Sequence, residues 1–239
     1  MAGHSKWANI KHTKSLMDKK RGKLFSKLSR DISVAVKLSG SENSALAKLA
    51  IEKAKAANMP KDKIMVAIDR GLGRGKDTEV LYENTYEAYA PGNVACLIDT
   101  QTDNPNRTLT EIKTIVNKSG GKFLSSGSVS WMFDEVGRII VDASKLKDTE
   151  AFTLSIMEAE GLLDVSIQND QVEIITEKEK LNTIQELILN NYPDTKFKEV
   201  EIIKKPKKEN VINSDRDVSE FLSELLDHDD VVSVWTNNL

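Results

Sequence analysis

The chain of 239 residues is 39% hydrophobic and 30% charged, which is the composition of a soluble globular protein long enough for more than one domain. It has no run of about 18 apolar residues and no apolar leader, so we expect no membrane-spanning helix, no secretory signal and a cytoplasmic location. The single cysteine, Cys96, excludes an internal disulfide and a cysteine-cluster zinc site, and the net charge of −3 gives no overall sign of a nucleic-acid-binding protein.

The charges are nevertheless divided very unevenly along the chain. Residues 1–80 contain 18 Lys or Arg against 8 Asp or Glu, whereas residues 81–239 contain 16 against 29. The bias is strongest in residues 1–30, where nine basic residues meet one carboxylate, Asp18. A helix that only faces solvent usually alternates the two signs, so this uncompensated charge favours a surface that binds a polyanion.

Three helices are predicted in the first 70 residues. In the first, apolar residues recur at steps of four, and most of the Lys and Arg residues lie off this stripe. The glycine-rich segment 71–76 then lacks the spacing of a phosphate-binding loop and is predicted to be a flexible linker. The first helix is predicted at 13–38, with Leu24, Leu28, Ile32 and Val36 in its apolar stripe. The second is predicted to begin after Ser44 as its N-cap. The third is predicted between Pro60 in its first turn and Gly71 as its C-terminal cap.

From Tyr82 the hydrophobic period changes to two, which predicts strands. Two strands pair around Pro91-Gly92, a helix follows in NRTLTEIKTIVNKSG, and KFLSS and SVSWMFD are predicted to pair across Gly127. Residues 137–204 then read β-α-β-β-α-β, the ferredoxin-like order, with two helices on one face of a four-stranded antiparallel sheet.

The last helix and strand, 217–227 and VVSVWTN, cannot bury a core alone, so we expect them to return to the unit that begins at Tyr82. The ferredoxin-like unit is then an insertion, and the fold class is α+β. The predicted domains are a basic three-helix domain at 1–78, a discontinuous α/β domain at 79–134 plus 207–239, and a ferredoxin-like α/β domain at 135–206.

Several strings in this chain closely resemble the YebC family. They are MAGHSKWANIKH, KRGKLFSKLSRDI, NMPKDKI, TDNPNRT and SSGSVSWMF, and the likeness extends over nearly the whole chain. The resemblance implies a three-helix domain followed by two α/β domains. It also implies a non-enzymatic protein, because members are described as bacterial transcriptional regulators and as translational activators. Thr13 and Pro105 stand where members usually carry arginine, and each removes a positive charge.

The candidate nucleic-acid-binding residues lie in the basic N-terminal segment. Lysine and arginine side chains would hold phosphates, and the indole of Trp7 would either stack on a base or anchor the terminus to the first helix. Arg107, near a helix N-terminus, is a candidate anion contact. The predicted interface contains Lys6, Trp7, Lys11, His12, Lys14, Lys19, Lys20, Arg21, Lys23, Lys27 and Arg30.

Two versions of the function remain open on the sequence. One is a DNA-binding transcriptional regulator, and the other is a translation factor or activator that binds rRNA on the ribosome. We expect no cofactor, no bound metal, no membrane partner and no catalytic residue, and the acidic α/β domains remain open to a protein partner. The rivals are an adaptor that works through this acidic half and a metal-dependent nuclease or phosphatase built on Asp99, Asp103 and Asp134.

Overall fold

The chain divides into two compact units, Met1–Thr78 and Glu79–Leu239. This computed structural model describes the backbone of residues 4–74 and 82–238, and the side chains of the same residues except 4–20 and Lys23. Among the helices described there, none has the length and hydropathy needed to cross a membrane. The predicted linker at 71–76 lies partly outside the described residues.

The first unit contains three helices, as predicted. The helices are α1 (His4–Ser39), α2 (Ala45–Ala56) and α3 (Lys61–Gly71). The predicted apolar stripe of α1 is buried from Leu28 onward, together with Ile32 and Val36. Ser44 caps α2, because its hydroxyl accepts a hydrogen bond of 3.1 Å from the N–H of Ala47.

Two details of this unit correct the prediction. The first helix begins at His4, nine residues earlier than expected. Gly71 does not cap α3 in a left-handed conformation; Leu72 is the C-cap, and Gly73 has the positive φ of 69°. Gly71 instead allows close approach of two helices, since a Cβ there would lie 2.7 Å from the carbonyl oxygen of Ser33 on α1.

The second unit begins with an antiparallel sheet in the order β3-β1-β2-β8. Two helices pack on one face of it, and Ile98, Ile112 and Leu225 lie fully buried between the layers. Because β8 comes from the end of the chain, the predicted return of the tail is confirmed. The elements are β1 (Tyr82–Ala90), β2 (Val94–Thr102), α4 (Pro105–Lys118), β3 (Lys122–Leu124), α7 (Ser219–Leu226) and β8 (Val231–Thr236).

The remaining elements form a second antiparallel sheet, in the order β5-β6-β4-β7. Ile139, Phe152, Ile174 and Ile188 form the core between this sheet and its two helices. The order is that of a ferredoxin-like β-α-β-β-α-β unit inserted between β3 and α7, so the predicted fold class is confirmed. The elements are β4 (Phe133–Asp142), α5 (Thr149–Ile156), β5 (Leu162–Gln168), β6 (Gln171–Glu177), α6 (Leu181–Asn191) and β7 (Phe197–Pro206).

The predicted strand pair across Gly127 is wrong. The short strand β3 pairs with β1, Ser130–Met132 is a turn of 3₁₀ helix, and Phe133 already begins β4. The reason is the carboxylate of Glu87, which accepts hydrogen bonds from three backbone N–H groups of this segment and folds it onto β1. The boundaries of the domains stay a prediction.

Candidate nucleic-acid interface

The interface predicted from the sequence lies on α1. This helix has 36 residues and is about 54 Å long at a rise of 1.5 Å per residue. Its backbone carries the positions of Lys6, Trp7, Lys11 and His12, which lie ahead of the predicted helix 13–38, and of Lys14, which lies inside it. The side chains of these five residues, and those of Lys19, Lys20 and Lys23, lie outside the described residues.

The described part of α1 becomes uncovered toward its N-terminal end. Leu28 is 8% exposed, whereas Leu24, one turn earlier on the same stripe, is 46% exposed. Arg21 and Lys27 are exposed as well. Packing against the described parts of α2 and α3 therefore begins near Leu28, and Arg21, Leu24 and Lys27 are exposed.

The basic residues of this stretch do not share one face. Lys27 and Arg30 lie on the side of α1 opposite the buried stripe, as predicted. Arg21 precedes Leu28 by seven residues, or about two turns, so it lies on the apolar side instead. Arg30 is half-buried, whereas Arg21 and Lys27 are exposed. The uncovered end of α1 thus presents positive charge in more than one direction.

The charge of Arg21 and Lys27 is not neutralised locally. Within the helical unit, no carboxylate that the structure describes lies within ion-pair distance of either side chain. Nearby, the ammonium group of Lys63 on α3 lies 5.8 Å from the centre of the Phe25 ring, a cation–π contact that orients a further cation beside α1. Arg21, Lys27 and Lys63 thus place three positive charges on or beside this part of α1.

Arg107 lies in a different setting. Its guanidinium group is 3.1 Å from Asp230 and 3.0 Å from Asp103, and its Nε is 3.9 Å from Glu111. The hydrogen bond to Asp230 and the charge of Asp230 raise the pKa of Arg107. The charges of Asp103 and Glu111 raise it further. An anion would have to displace carboxylates that already bind this side chain, so we leave Arg107 out of the proposed interface.

The same carboxylates form a group that the sequence analysis missed. Ligand atoms of Glu111, His228 and Asp230 lie within 4.8 Å of one another, a spacing that could hold a metal ion. The N–H of Asp230 donates to Nδ1 of His228, however, which leaves the proton on Nε2, 2.9 Å from Glu111. In this tautomer the Nε2–H of His228 faces Glu111, and Arg107 pairs with both Glu111 and Asp230. The one signal in the sequence is the acidic string DHDD around His228.

Comparison with known protein families agrees with the fold and with the basic N-terminal unit. The model of the TACO1/YebC protein N-terminal domain matches residues 5–74, and the model of the TACO1/YebC second and third domain matches residues 81–238. The chain belongs to the TACO1/YebC family. The resemblance inferred from MAGHSKWANIKH and the other strings is therefore confirmed.

Relatives in the TACO1/YebC family match the chain over almost its full length. A protein of Dictyoglomus turgidum is 42% identical over 244 residues, covering 99% of this chain and 95% of the relative. A protein of Roseiflexus castenholzii is 43% identical over 246 residues, covering 99% of this chain and 94% of the relative. Both are named "Probable transcriptional regulatory protein".

A solved structure shows the same architecture. It is described as a conserved hypothetical protein, Aq1575, from Aquifex aeolicus, and it is 34% identical to this chain. The TM-score is 0.73, and the match covers 92% of this chain and 90% of the solved one. The arrangement of helical unit and two sheets is thus that of a TACO1/YebC protein.

The carboxylates considered for a nuclease do not meet in this TACO1/YebC fold. Asp99 binds Lys204, Asp103 binds Arg107, and Asp134 lies 3.7 Å from Lys207. Among the described residues, none of the three belongs to a group with metal-binding spacing. Each carboxylate therefore has a separate structural partner.

The thiol of Cys96 is equally unsuited to chemistry. It is fully buried in β2, and this burial raises its pKa to about 12. A thiol with such a pKa stays protonated at neutral pH and is a poor nucleophile.

Proposed function

We propose that this TACO1/YebC protein is a non-enzymatic, nucleic-acid-binding regulator of gene expression, which binds DNA as a transcriptional regulator through the N-terminal half of α1. The observation that carries the proposal is the uncovered stretch before Leu28, where Arg21 and Lys27 are exposed and no described carboxylate of the same unit neutralises them. The names of the relatives support regulation of transcription.

The binding would be driven by phosphate contacts. Each contact releases counterions, so about five of them give log affinity a slope near −4.5 against log salt for duplex DNA. Phosphate contacts position a protein on the nucleic-acid backbone but do not distinguish the bases. Trp7 would add stacking on a base, and the exposed Leu24 would add apolar contact. The acidic second unit would be repelled by the same polyanion and stay available for a protein partner.

A second candidate is a translation factor that binds rRNA on the ribosome. It is favoured by the position of Arg21 on one side of α1 and Lys27 on the other, because a helix with charge in several directions suits a pocket in folded RNA. A single major-groove contact would use one face of the helix.

The experiment compares binding to duplex DNA, to rRNA fragments and to ribosomes over a salt series. We expect the double variant Arg21→Ala/Lys27→Ala to weaken binding and to reduce the magnitude of the salt slope by about 2, one unit per lost phosphate contact. The matched control is Lys113→Ala/Lys118→Ala on α4, where both lysines are exposed in the acidic unit and binding should not change.

Each outcome has a defined meaning. Equal loss in both double variants, or no binding to any of the three ligands, overturns the proposal. Equal affinity for promoter and random DNA, with tighter binding to rRNA or ribosomes, replaces the transcriptional version by the translational one. Turnover of a nucleic acid with magnesium that disappears in Asp103→Asn replaces both by a nuclease.

A further inference from the structure

Among the residues that the structure describes, one edge of the ferredoxin-like sheet is unpaired and carries exposed apolar side chains. The strand β5 pairs with β6 on one side and is the last strand of the sheet on the other. Leu163 and Ile167 on this strand are 54% and 51% exposed. Large apolar side chains on an open edge strand are unusual in a protein that stays monomeric, because such an edge can pair with another chain.

The turn between β5 and β6 shows which backbone groups face outward. Its two residues, Asn169 and Asp170, both have positive φ, 49° and 57°, as in a type I′ hairpin. Gln168 and Gln171 are then a hydrogen-bonded pair, and the alternation along the strand directs the N–H and C=O groups of Ile167 and Val165 away from β6. In agreement, the N–H of Val165 donates to the side chain of its neighbour Asp164 at 3.0 Å.

The adjoining helix extends the apolar surface. On α5, Phe152 and Ile156 point into the core, and the hydroxyl of Ser155 accepts a hydrogen bond of 3.0 Å from Tyr192 at the end of α6. Leu154 and Met157 lie on the side of α5 away from that contact, and both are exposed. Strand β5 and the C-terminal part of α5 with its C-cap thus carry four large exposed apolar side chains.

We propose that β5 pairs antiparallel with β5 of a second copy of this chain and joins the two ferredoxin-like sheets into one of eight strands. The pairing is centred on Val165, whose outward N–H exchanges its bond to the Asp164 side chain for one to the Val165 carbonyl of the second copy, while its own C=O accepts the reciprocal bond. It sets Asp164 opposite Ser166 on both sides of the two-fold axis, and it brings Leu163, at the irregularity of β5 against β6, opposite Ile167.

The composition of the strand favours a second copy over a foreign strand. Within β5 only Asp164 is charged, and in this register it faces a serine hydroxyl that can donate to it, so no like charges oppose each other. Beyond the strand, Glu160 would approach Asp170 of the second copy, but Glu160 is already paired with Lys180 at 2.8 Å. The strand is therefore complementary to itself about Val165.

The inference does not depend on the proposed function, because no residue of α1 takes part. It is tested first by sedimentation equilibrium of the full chain over a range of concentrations, where we expect a reversible dimer. Ile167→Lys should raise the dimer dissociation constant by about tenfold or more, since it places a charge opposite Leu163. The control is Leu226→Lys on α7, a residue 43% exposed and outside the proposed contact, which should leave the dimer unchanged.

The register is tested by cross-linking. Cys96, the single native cysteine, is buried, so only the introduced thiols are free to react. Asp164→Cys and Ser166→Cys should form an interchain disulfide efficiently when the two variants are mixed, and poorly when either is oxidised alone, because 164 faces 166. The proposal would be overturned if the chain stayed monomeric or if Ile167→Lys left the dimer unaffected. It would also be overturned if disulfides formed equally well without mixing, or if a foreign strand were found on β5.

Discussion

The ammonium group of Lys204 on β7 lies 2.5 Å from the carboxylate of Asp99 on β2, and this ion pair joins the two sheets of the second unit. The side chain of Lys204 is only 15% exposed, and that of Asp99 only 10%. The other oxygen of Asp99 accepts a hydrogen bond of 2.7 Å from the indole of Trp235, and Lys204 also donates to Thr85. Four side chains from separate strands therefore satisfy one another at the junction.

Removal of Lys204 should destabilise the second unit strongly. In Lys204→Ala the carboxylate of Asp99 stays buried without its counter-charge, and loss of one partner of a buried pair costs about 3–5 kcal/mol. The measurement is the free energy of unfolding from urea denaturation followed by far-UV circular dichroism.

Lys198→Ala is the matched control for that prediction. Lys198 lies on the same strand and also meets an aspartate, Asp142, but at 3.9 Å and with its own side chain 40% exposed. An exposed pair contributes about 0–1 kcal/mol. Similar losses in the two variants would show that the buried pair has no special role at the junction.

Glu87 should make the stability of the second unit depend on acid. Burial of its carboxylate raises the pKa, but the hydrogen bonds from the N–H groups of Val129, Gly127 and Ser130 lower it by more, so the pKa lies below its usual value. A lowered folded-state pKa adds stability that is present above the unfolded pKa, about 4.3, and is lost as the pH falls through the folded value.

Glu87→Gln tests this prediction. The variant should lose about 1–3 kcal/mol at pH 7, because an amide cannot accept all three N–H groups, and the difference from the natural protein should shrink below about pH 4. Urea denaturation between pH 7 and pH 3 measures both effects. Glu158→Gln, at an exposed position between α5 and β5, is the control. A difference that stays constant with pH would contradict the proposed role of the charge.

Periodic patterns predicted the parts of the fold that depend on burial. The spacing of Leu28, Ile32 and Val36 gave the packed face of α1, and alternation gave the order of the ferredoxin-like unit. The return of the tail followed from its length, since a helix and a strand alone cannot bury a core. These inferences rest on burial along short segments, which a single sequence records.

Contacts between distant residues could not be predicted in the same way. Asp230 binds Arg107 across 123 residues, and Glu87 organises a loop about 40 residues away. Neither carboxylate differs in sequence from one that faces water. The helical state of residues 4–12 was missed for another reason, since six of these nine residues are polar and they give no strong hydrophobic period.

Two glycines of the helical unit should respond in opposite ways to alanine. Gly22 lies inside α1 with nothing within 4 Å of an added Cβ, so Gly22→Ala should stabilise the unit by up to about 1 kcal/mol. In Gly71→Ala the new Cβ would lie 2.7 Å from Val36 as well as from Ser33, so α1 and α3 must separate, at a cost of about 1–3 kcal/mol. Thermal unfolding measures both variants, and a gain in stability for Gly71→Ala would show that the helices are not packed this closely.

The last prediction separates the two roles considered for Trp7. If the indole stacks on a base, Trp7→Ala should weaken nucleic-acid binding by about 1–3 kcal/mol, Trp7→Phe should retain most of the affinity, and neither should change the free energy of unfolding. If it anchors the terminus, both variants should lower the stability of the helical unit, and binding should fall only as far as the folded fraction falls. Titration at fixed salt, combined with urea denaturation of the same variants, distinguishes these patterns. We expect the stacking pattern, since the described end of α1 is uncovered and an indole beside uncompensated lysines suits an unstacked base. Loss of stability without a separate loss of affinity would assign Trp7 to the fold.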